Sequence, residues 1–317
     1  MDFPIQDLLD KQRCYDKLLE ILHPEGLSCP QCHAQEKLGV HDRHRDPVLD
    51  FQCGHCGRVF NLFTATALAG TRRSVVDILL ILRGVAQGVS TAQLARELGC
   101  SYAMLLQLRH RLQGGVQDRL DEPRPPLDDA AAEADEMFQN AGEKGVPHLD
   151  PDDPPRRRAN KRRGHGTFGN DRPPVAGVVG RQSGGLRLTV IAHADQATLQ
   201  AGVERHTTKE ATIYTDEWAG YGRLPETGRK HATVCHSPDH REWARDDDGD
   251  GIREVHDNTL EGIWTGLRNF LRTFRGVSKY YLAQYVAIFA WAYDFKVATD
   301  DALRILLSIR PALASGP

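Results

Sequence analysis

Cys29-Pro30-Gln31-Cys32 and, twenty residues on, Cys53-Gly54-His55-Cys56 are the residues whose spacing most directly implies chemistry. Two thiolates on a tight turn chelate one ion, and a second such pair completes the closed tetrahedral shell of structural zinc. Four sulfurs leave no open coordination position, so zinc here is a structural cofactor without a catalytic part. His33, His41, His44 and His55 are alternative ligands from the same stretch. Free thiols at this spacing are the competing reading.

Three carboxylates follow in the second half of the chain. Asp135 falls in the short strand candidate Glu133-Ala134-Asp135-Glu136-Met137-Phe138, where acids are unfavourable unless they bind something. Asp216 ends a β-branched strand within ATIYTDEWAGY, and Glu261 lies on an amphipathic helix from Val255 to Arg275. Strand-borne aspartates and a helix-borne glutamate can converge on two magnesium ions, which activate a nucleophile and stabilise a leaving oxygen in phosphodiester chemistry. On that helix Glu261, Arg268, Arg272 and Arg275 fall within roughly 60° of one another, a carboxylate in line with a row of phosphate-gripping cations. Asn258 and Glu261 also spell a capping box, so an ordinary helix start is the second reading of the same residues.

The elements that must position these groups can be read from periodicity. Leu260, Ile263, Trp264, Leu267, Phe270, Leu271 and Phe274 give the Val255–Arg275 helix one buried face. Residues 1 to 27 read as a short amphipathic helix ending near Pro24-Glu25-Gly26, and short strands between the CxxC pairs suit a zinc ribbon. Residues 74 to 113 read as helical. Within them Ser90 and Ser101 cap two helices around a Gly99 turn, the form of a helix-turn-helix, with Leu94, Leu98, Met104, Leu105 and Leu108 as its core. Arg109, His110 and Arg111 lie toward the end of the second helix, where they could meet phosphate or base edges; a plain helical hairpin is the alternative.

Pro123, Pro125 and Pro126 mark a linker, placing a boundary near 125. The expected domains are 1–70, an N-terminal helix and zinc ribbon; 71–125, the helix-turn-helix-like DNA-binding segment; and 126–317, an α/β domain with a basic insertion near 145–172. Six of the eight residues from Arg156 to Arg163 are basic, namely Arg156, Arg157, Arg158, Lys161, Arg162 and Arg163. Such a run is either a solvated loop or a contact for DNA phosphates. Beyond it PPVAGVVGR and LRLTVIAHA form a hairpin, Gln196 to His206 a helix, and HATVCHS a strand containing Cys235 and His236. Asp246, Asp248, Asp250 and Asp257 imitate an EF-hand loop in part, with the apolar residue misplaced and no glutamate at the close. Residues 278 to 310 read as helical core.

At 317 residues the chain can hold two or three domains. A net charge of -3 and a pI of about 6.5 exclude a uniformly basic coat, so nucleic acid must be met by local patches. No eighteen-residue apolar run exists, and the charged start MDFPIQDLLDKQ lacks a signal-peptide core, so the expectation is a cytoplasmic protein without a membrane partner. Seven cysteines, four in two CxxC pairs, suit a reducing compartment.

Taken together, CPQC with CGHC, the ribbon exit FNLFTATAL, ADEMF around Asp135, YTDEWAGY around Asp216, CHSPDHREW, and HDNTLEGIWTGLRNFLR around Glu261 resemble bacterial insertion-sequence transposases that join a zinc ribbon to an ISXO-like DDE transposase domain. The resemblance covers most of the chain. It implies a multidomain protein whose C-terminal domain has an RNase H-like fold, and which cleaves at transposon ends and joins the 3′-hydroxyls to target DNA. It also implies Asp135, Asp216 and Glu261 as an acidic triad for two magnesium ions, with manganese as a substitute, and Arg268 as the downstream basic partner. Some relatives use asparagine as the third member, which keeps Asn258 in play. Double-stranded DNA, both transposon ends and target, is the implied partner, with a homo-oligomer assembling on it. The chain departs from the pattern after Asp135, where many relatives have a glycine pair and this one has Gln139-Asn140-Ala141-Gly142 before the basic insertion. Two readings compete: a zinc-ribbon and helix-turn-helix transcription regulator without catalysis, and an RNase H-like nuclease without joining activity.

Overall fold

The computed structural model describes residues 5–143, 164–237, 239–295 and 300–307. The basic run lies outside these, and with it Arg156, Arg157, Arg158, Lys161, Arg162 and Arg163. The chain forms two compact units, one of Met1–Asp121 with Phe295–Pro317 and one of Glu122–Asp294.

In the first unit, helix α1 (Lys11–Leu22) starts where the Asp10 carboxylate accepts the N–H groups of Gln12 and Arg13. A three-stranded antiparallel sheet follows: β1 (Leu38–Asp42), β2 (Asp50–Cys53) and β3 (Val59–Asn61). Three helices come next, α2 (Val75–Ala86), α3 (Thr91–Glu97) and α4 (Tyr102–Asp121). Ser74 and Ser90 cap α2 and α3 through the N–H groups of Asp77 and Gln93. Gly99, at φ 56°, makes the left-handed turn into α4. At Gly84 a Cβ would meet the Leu94 methyl at 2.5 Å, so glycine there lets α2 and α3 pack close.

The last helix, α8 (Asp300–Leu307), belongs to this first unit and packs on α1 and α4 through buried Leu303, Leu306 and Leu307. The boundary expected near 125 falls close to the division between Asp121 and Glu122, while the structure makes no division at 70 and returns α8 from the expected 126–317 domain to the first unit. An amphipathic helix goes where its apolar stripe finds cover, and here the cover is 180 residues back in the chain.

The second unit is built on a five-stranded sheet. Its strands are β4 (Ala131–Phe138), β5 (Pro174–Gly180), β6 (Leu186–Val190), β7 (Thr212–Asp216) and β8 (His231–Val234), in spatial order β6-β5-β4-β7-β8. The first three form an antiparallel meander, while β7 runs parallel to β4 and β8 parallel to β7. Helix α5 (Gln196–His206) makes the crossover from β6 to β7. This order, three meandering strands followed by two parallel ones on the other side of the first, is that of an RNase H-like sheet.

Side-chain alternation along β4 divides its two faces. Ala132 and Ala134 join Leu199, Val203 and Ile213 in a core under α5. Glu133, Asp135 and Met137 face the other way, toward α6 (Asn258–Arg272), which packs on β4 and β5. Trp264 of α6 lies over Gly177 of β5, where any Cβ would sit 2.6 Å from the indole. Helix α7 (Lys279–Phe295) completes the unit with buried Leu282, Tyr285, Val286 and Trp291. Its first residue, buried Lys279, reaches Glu143 at 3.3 Å and Asp171 at 3.2 Å, the two flanks of the insertion between β4 and β5.

Candidate active site

The register of the sheet brings the strand-borne acids together. Glu133 of β4 pairs with Tyr214 of β7 in the parallel ladder, so Asp135 and Asp216, each two residues further on, emerge level on the same face. The carboxyl ends of adjacent parallel strands are where open α/β sheets hold their ligands. Asp216 is steadied by the Trp218 N–H at 2.9 Å, and Asp135 by the indole N–H of Trp264 at 2.6 Å.

The third element of the site is the start of α6, and its position is set by a buried carboxylate. Glu133, fully enclosed, accepts the backbone N–H groups of Thr259 at 2.9 Å and Leu260 at 3.1 Å, and the Thr259 hydroxyl at 2.8 Å. Arg181 donates to the same carboxylate at 2.9 Å and to the carbonyls of Glu254 and His256, while its guanidinium lies 4.0 Å from the Tyr214 ring centre. A negative charge at the free N–H groups of a helix start is favourable on both hydrogen-bond and dipole grounds. Here it comes from a strand 126 residues away and not from a local box. The expected Asn258–Glu261 box is therefore corrected: Asp257 is the N-cap residue, its side chain makes no capping hydrogen bond, and Asn258 is the exposed first residue of the helix.

Asp257 was expected only as the closing ligand of an EF-hand imitation. It lies instead beside the acids, with a side chain 2% exposed, its Oδ1 3.4 Å from His236 Nε2. Glu261 Oε1 is 3.7 Å from the other nitrogen of that imidazole. His236, Asp257 and Glu261 each offer a ligand atom, all within 4.8 Å of one another. Asp246, Asp248 and Asp250 of the imitation each bring an oxygen within 4.8 Å of the others, without Asp257; Asp246 also accepts the N–H groups of Gly249 and Gly251, and the loop is closed by paired hydrogen bonds between Arg245 and Val255.

Electrostatics tie these carboxylates into one site. Burial, then Asp216 and Asp257 working against the Trp264 hydrogen bond, push Asp135 up to about 7. Burial, then Glu261, Asp216 and Glu133, push Asp257 up to about 7. Burial also raises Asp216, with His236 opposing. On the opposite face Glu136, bonded by the Tyr221 hydroxyl at 2.9 Å, is pushed up to about 8 by burial and by Asp135. Several buried acids that resist ionising together form a set that a divalent cation would satisfy.

Of the cations expected here, Arg268, Arg272 and Arg275 line a polar groove of about 480 Å³ with Phe138, Asn140 and Arg172. Arg172, which the helical reading missed because it enters from the strand side, donates to Asn140 at 2.8 Å. Burial, and then Arg268, lower its pKa.

In the first unit the four cysteine sulfurs form one group with all ligand atoms within 4.8 Å, a geometry compatible with zinc. Each CxxC is a tight turn: the N–H of His33 bonds the Cys29 carbonyl, that of Gly57 the Cys53 carbonyl, and both closing residues have positive φ. His33, His41 and His55 bring no atom to the group among the described residues, and His44 bonds Asp42.

Arg109 and Arg111 part company. Arg109 was expected to meet DNA but is completely buried, donating to the Val89 carbonyl in the turn before α3, the helix on which α4 packs. Arg111 is exposed and bonds the Ala67 carbonyl at 2.9 Å. It lines a groove of about 580 Å³ with Arg72, Arg73 and Ser101.

Residues 141–294 match the model of the ISXO2-like transposase domain. That span holds Asp216, Asp257 and Glu261 and begins six residues after Asp135. The chain is 27% identical over 307 residues to an uncharacterized protein in the transposable element ISH50 of Halobacterium salinarum, covering 96% of this chain and 98% of the relative. Among solved structures, the Mos1 mariner paired-end complex with Mn aligns at 13% identity over 73% of this chain and 80% of that one, with a TM-score of 0.23. A chain of a simian T-cell lymphotropic virus intasome complex aligns at 12% identity over 66% of each, with a TM-score of 0.29. At such scores the fold rests on the strand order of the sheet itself. Among the described residues no helix is long and apolar enough to cross a membrane.

Proposed function

We propose, from the premise that this chain is an insertion-sequence transposase with an ISXO2-like domain at residues 141–294, that its second unit cuts DNA at the ends of its element and joins them to target DNA. The observation that carries this reading is the level pair Asp135 and Asp216 on one face of parallel β4 and β7, with Asp257 and Glu261 gathered around His236 at the start of α6. Asp135, Asp216 and Glu261 are the assigned acids, with Asp257 in the place given earlier to Asn258.

Their hard oxygens suit magnesium, with manganese as a substitute. Bound there, such ions supply an activated oxygen nucleophile and charge stabilisation for a leaving 3′-oxygen. The protein's own residues do the positioning. Trp264 and the Trp218 N–H hold the two aspartates in one orientation, and Glu133 with Arg181 seats the helix that delivers the third acid. Arg268, Arg172, Arg272 and Arg275 form a cationic groove suited to a phosphodiester backbone. In the first unit, Cys29, Cys32, Cys53 and Cys56 would hold a structural zinc, and Arg72, Arg73 and Arg111 flank the helix-turn-helix as candidate phosphate contacts.

The test is strand cleavage and strand transfer on duplex DNA bearing the element's ends, with Mg²⁺. Joined products are expected from the wild type and none from Asp216→Asn. Full activity in that variant would sink the assignment, cleavage without joining would leave a nuclease, and binding without cleavage in any metal would leave a regulator.

A further inference from the structure

His236 stands at the edge of the site with no role yet given to it. In the parallel ladder of β7 and β8, Asp216 pairs with Val234. His236, two residues past that partner, therefore leaves β8 on the same side as Asp216. Three neighbouring parallel strands thus bring Asp135 from within β4, Asp216 from the end of β7 and His236 from just past β8 to one side of the sheet.

Each nitrogen of the imidazole approaches a carboxylate oxygen of the site. Nε2 lies 3.4 Å from Asp257 Oδ1 and Nδ1 3.7 Å from Glu261 Oε1. Both Nε2 and Oδ1 are buried with no hydrogen-bond partner among the described residues, and the Asp257 side chain is 98% buried by its 2% exposure. A buried carboxylate oxygen left unbonded at a helix N-cap is costly, since the N–H groups that would ordinarily take it are already bonded to Glu133. Two ligands of one ion, each about 2.1 Å from it, sit roughly 3 Å apart, close to the observed spacing. Trp243, its ring centre 4.8 Å from the imidazole, packs against His236 and limits its rotation.

We infer that His236 and Asp257 are ligands of one metal position in this site, giving it a mixed nitrogen and oxygen shell that binds Mn²⁺ in preference to Mg²⁺. The inference rests on the acidic site proposed above and goes beyond it in ligand set and metal choice. Imidazole is a poor ligand for Mg²⁺, which favours oxygen and retained water, and a better one for first-row transition ions. A purely structural His236–Asp257 ion pair would carry no such preference.

The experiment uses the full chain with its four-thiol group filled with zinc, and reads Mn²⁺ binding by electron paramagnetic resonance. In the wild type, echo-envelope modulation from a ¹⁴N ligand is expected, and His236→Ala should abolish it and shrink the Mn²⁺ over Mg²⁺ preference. Asp257→Asn should weaken Mn²⁺ binding at least tenfold, with the metal-free thermal midpoint checking that the variant folds. Absence of ¹⁴N modulation in the wild type overturns the inference without any variant. Unchanged Mn²⁺ affinity in both variants, with binding lost in Asp135→Asn, also overturns it but leaves the acidic site standing. Unchanged affinity in all three removes the acidic site itself.

Discussion

Glu133 holds Thr259: a carboxylate from the middle of β4 accepts both the backbone N–H and the hydroxyl of the second residue of α6, at 2.9 and 2.8 Å. Asp135 is two residues along the same face of that strand, and Asp257 two residues before Thr259. The contact therefore sets the spacing between the strand-borne and helix-borne acids.

Replacing Glu133 with alanine leaves the Arg181 guanidinium and two helix N–H groups without their shared acceptor in a buried place. The expected cost is about 3–5 kcal/mol, the range for breaking a buried pair from one side. Urea unfolding measures it. Glu133→Gln keeps an acceptor oxygen and should cost less, and equal losses in the two variants would show that the charge, and not the cap, carries the contact.

Lys279 is the cation between two buried carboxylates, Glu143 and Asp171, at the flanks of the insertion. Lys279→Met retains the stem but removes the charge, leaving two acids enclosed together. A loss of about 3–5 kcal/mol is expected, read as a fall in the midpoint of thermal unfolding. A shift of under a degree would mean that water or rearrangement supplies what the lysine does.

The acids also predict how stability follows pH. Asp135 and Asp257 at about 7 and Glu136 at about 8 stand above their unfolded values near 4. The folded state thus binds more protons across that window, and stability falls as pH rises through it. His206 and His231, lowered by burial, act in the opposite sense but only below about pH 6.5. Between about pH 6.5 and 8 the metal-free unfolding midpoint should decline, and Mn²⁺ or Mg²⁺ should restore it most at the upper end. A midpoint flat across this range would contradict the burial of these carboxylates.

In the arginine groove, Arg268→Ala, Arg272→Ala and Arg172→Ala should each weaken binding of duplex DNA about equally for all sequences. Each should also reduce the slope of log affinity against log salt by about 1. Fluorescence anisotropy over a salt series measures both. An unchanged slope removes the groove from the DNA contact.

For the thiol group, the purified protein should carry about one zinc per chain, and chelation should melt the β1–β3 sheet ahead of the second unit. Elemental analysis and thiol titration decide it. Four freely titratable thiols with no bound metal would refute the ribbon as a zinc site.

Much of this molecule was legible in the sequence because the responsible interactions are local. Two CxxC turns declare a four-sulfur site within 28 residues, since each turn is closed by its own backbone. Alternation located the β5–β6 hairpin and a β-branched run located β7, and the helix from Gln196 to His206 and the capping serines at 90 and 101 follow from residue type alone. Asp135 and Asp216 stood out because an acid within a short strand candidate, or at the end of a β-branched one, asks for a reason.

What depended on tertiary structure is everything decided by which surface meets which. Arg109 and Arg111 differ by two positions on one helix, and only the packing of α4 against α3 and the turn before it sends the first inward and leaves the second exposed. The apolar stripe of α8 announces a helix but not the partner 180 residues earlier that covers it. Asp257 could be read as the close of a calcium loop because its spacing from Asp246 is all that a sequence displays. The ladder registers of β4, β7 and β8, and the hydrogen bonds from α6 to Glu133, carry it to His236 instead. Spacing along a chain specifies turns and faces; convergence of side chains from separate strands requires the sheet to exist first.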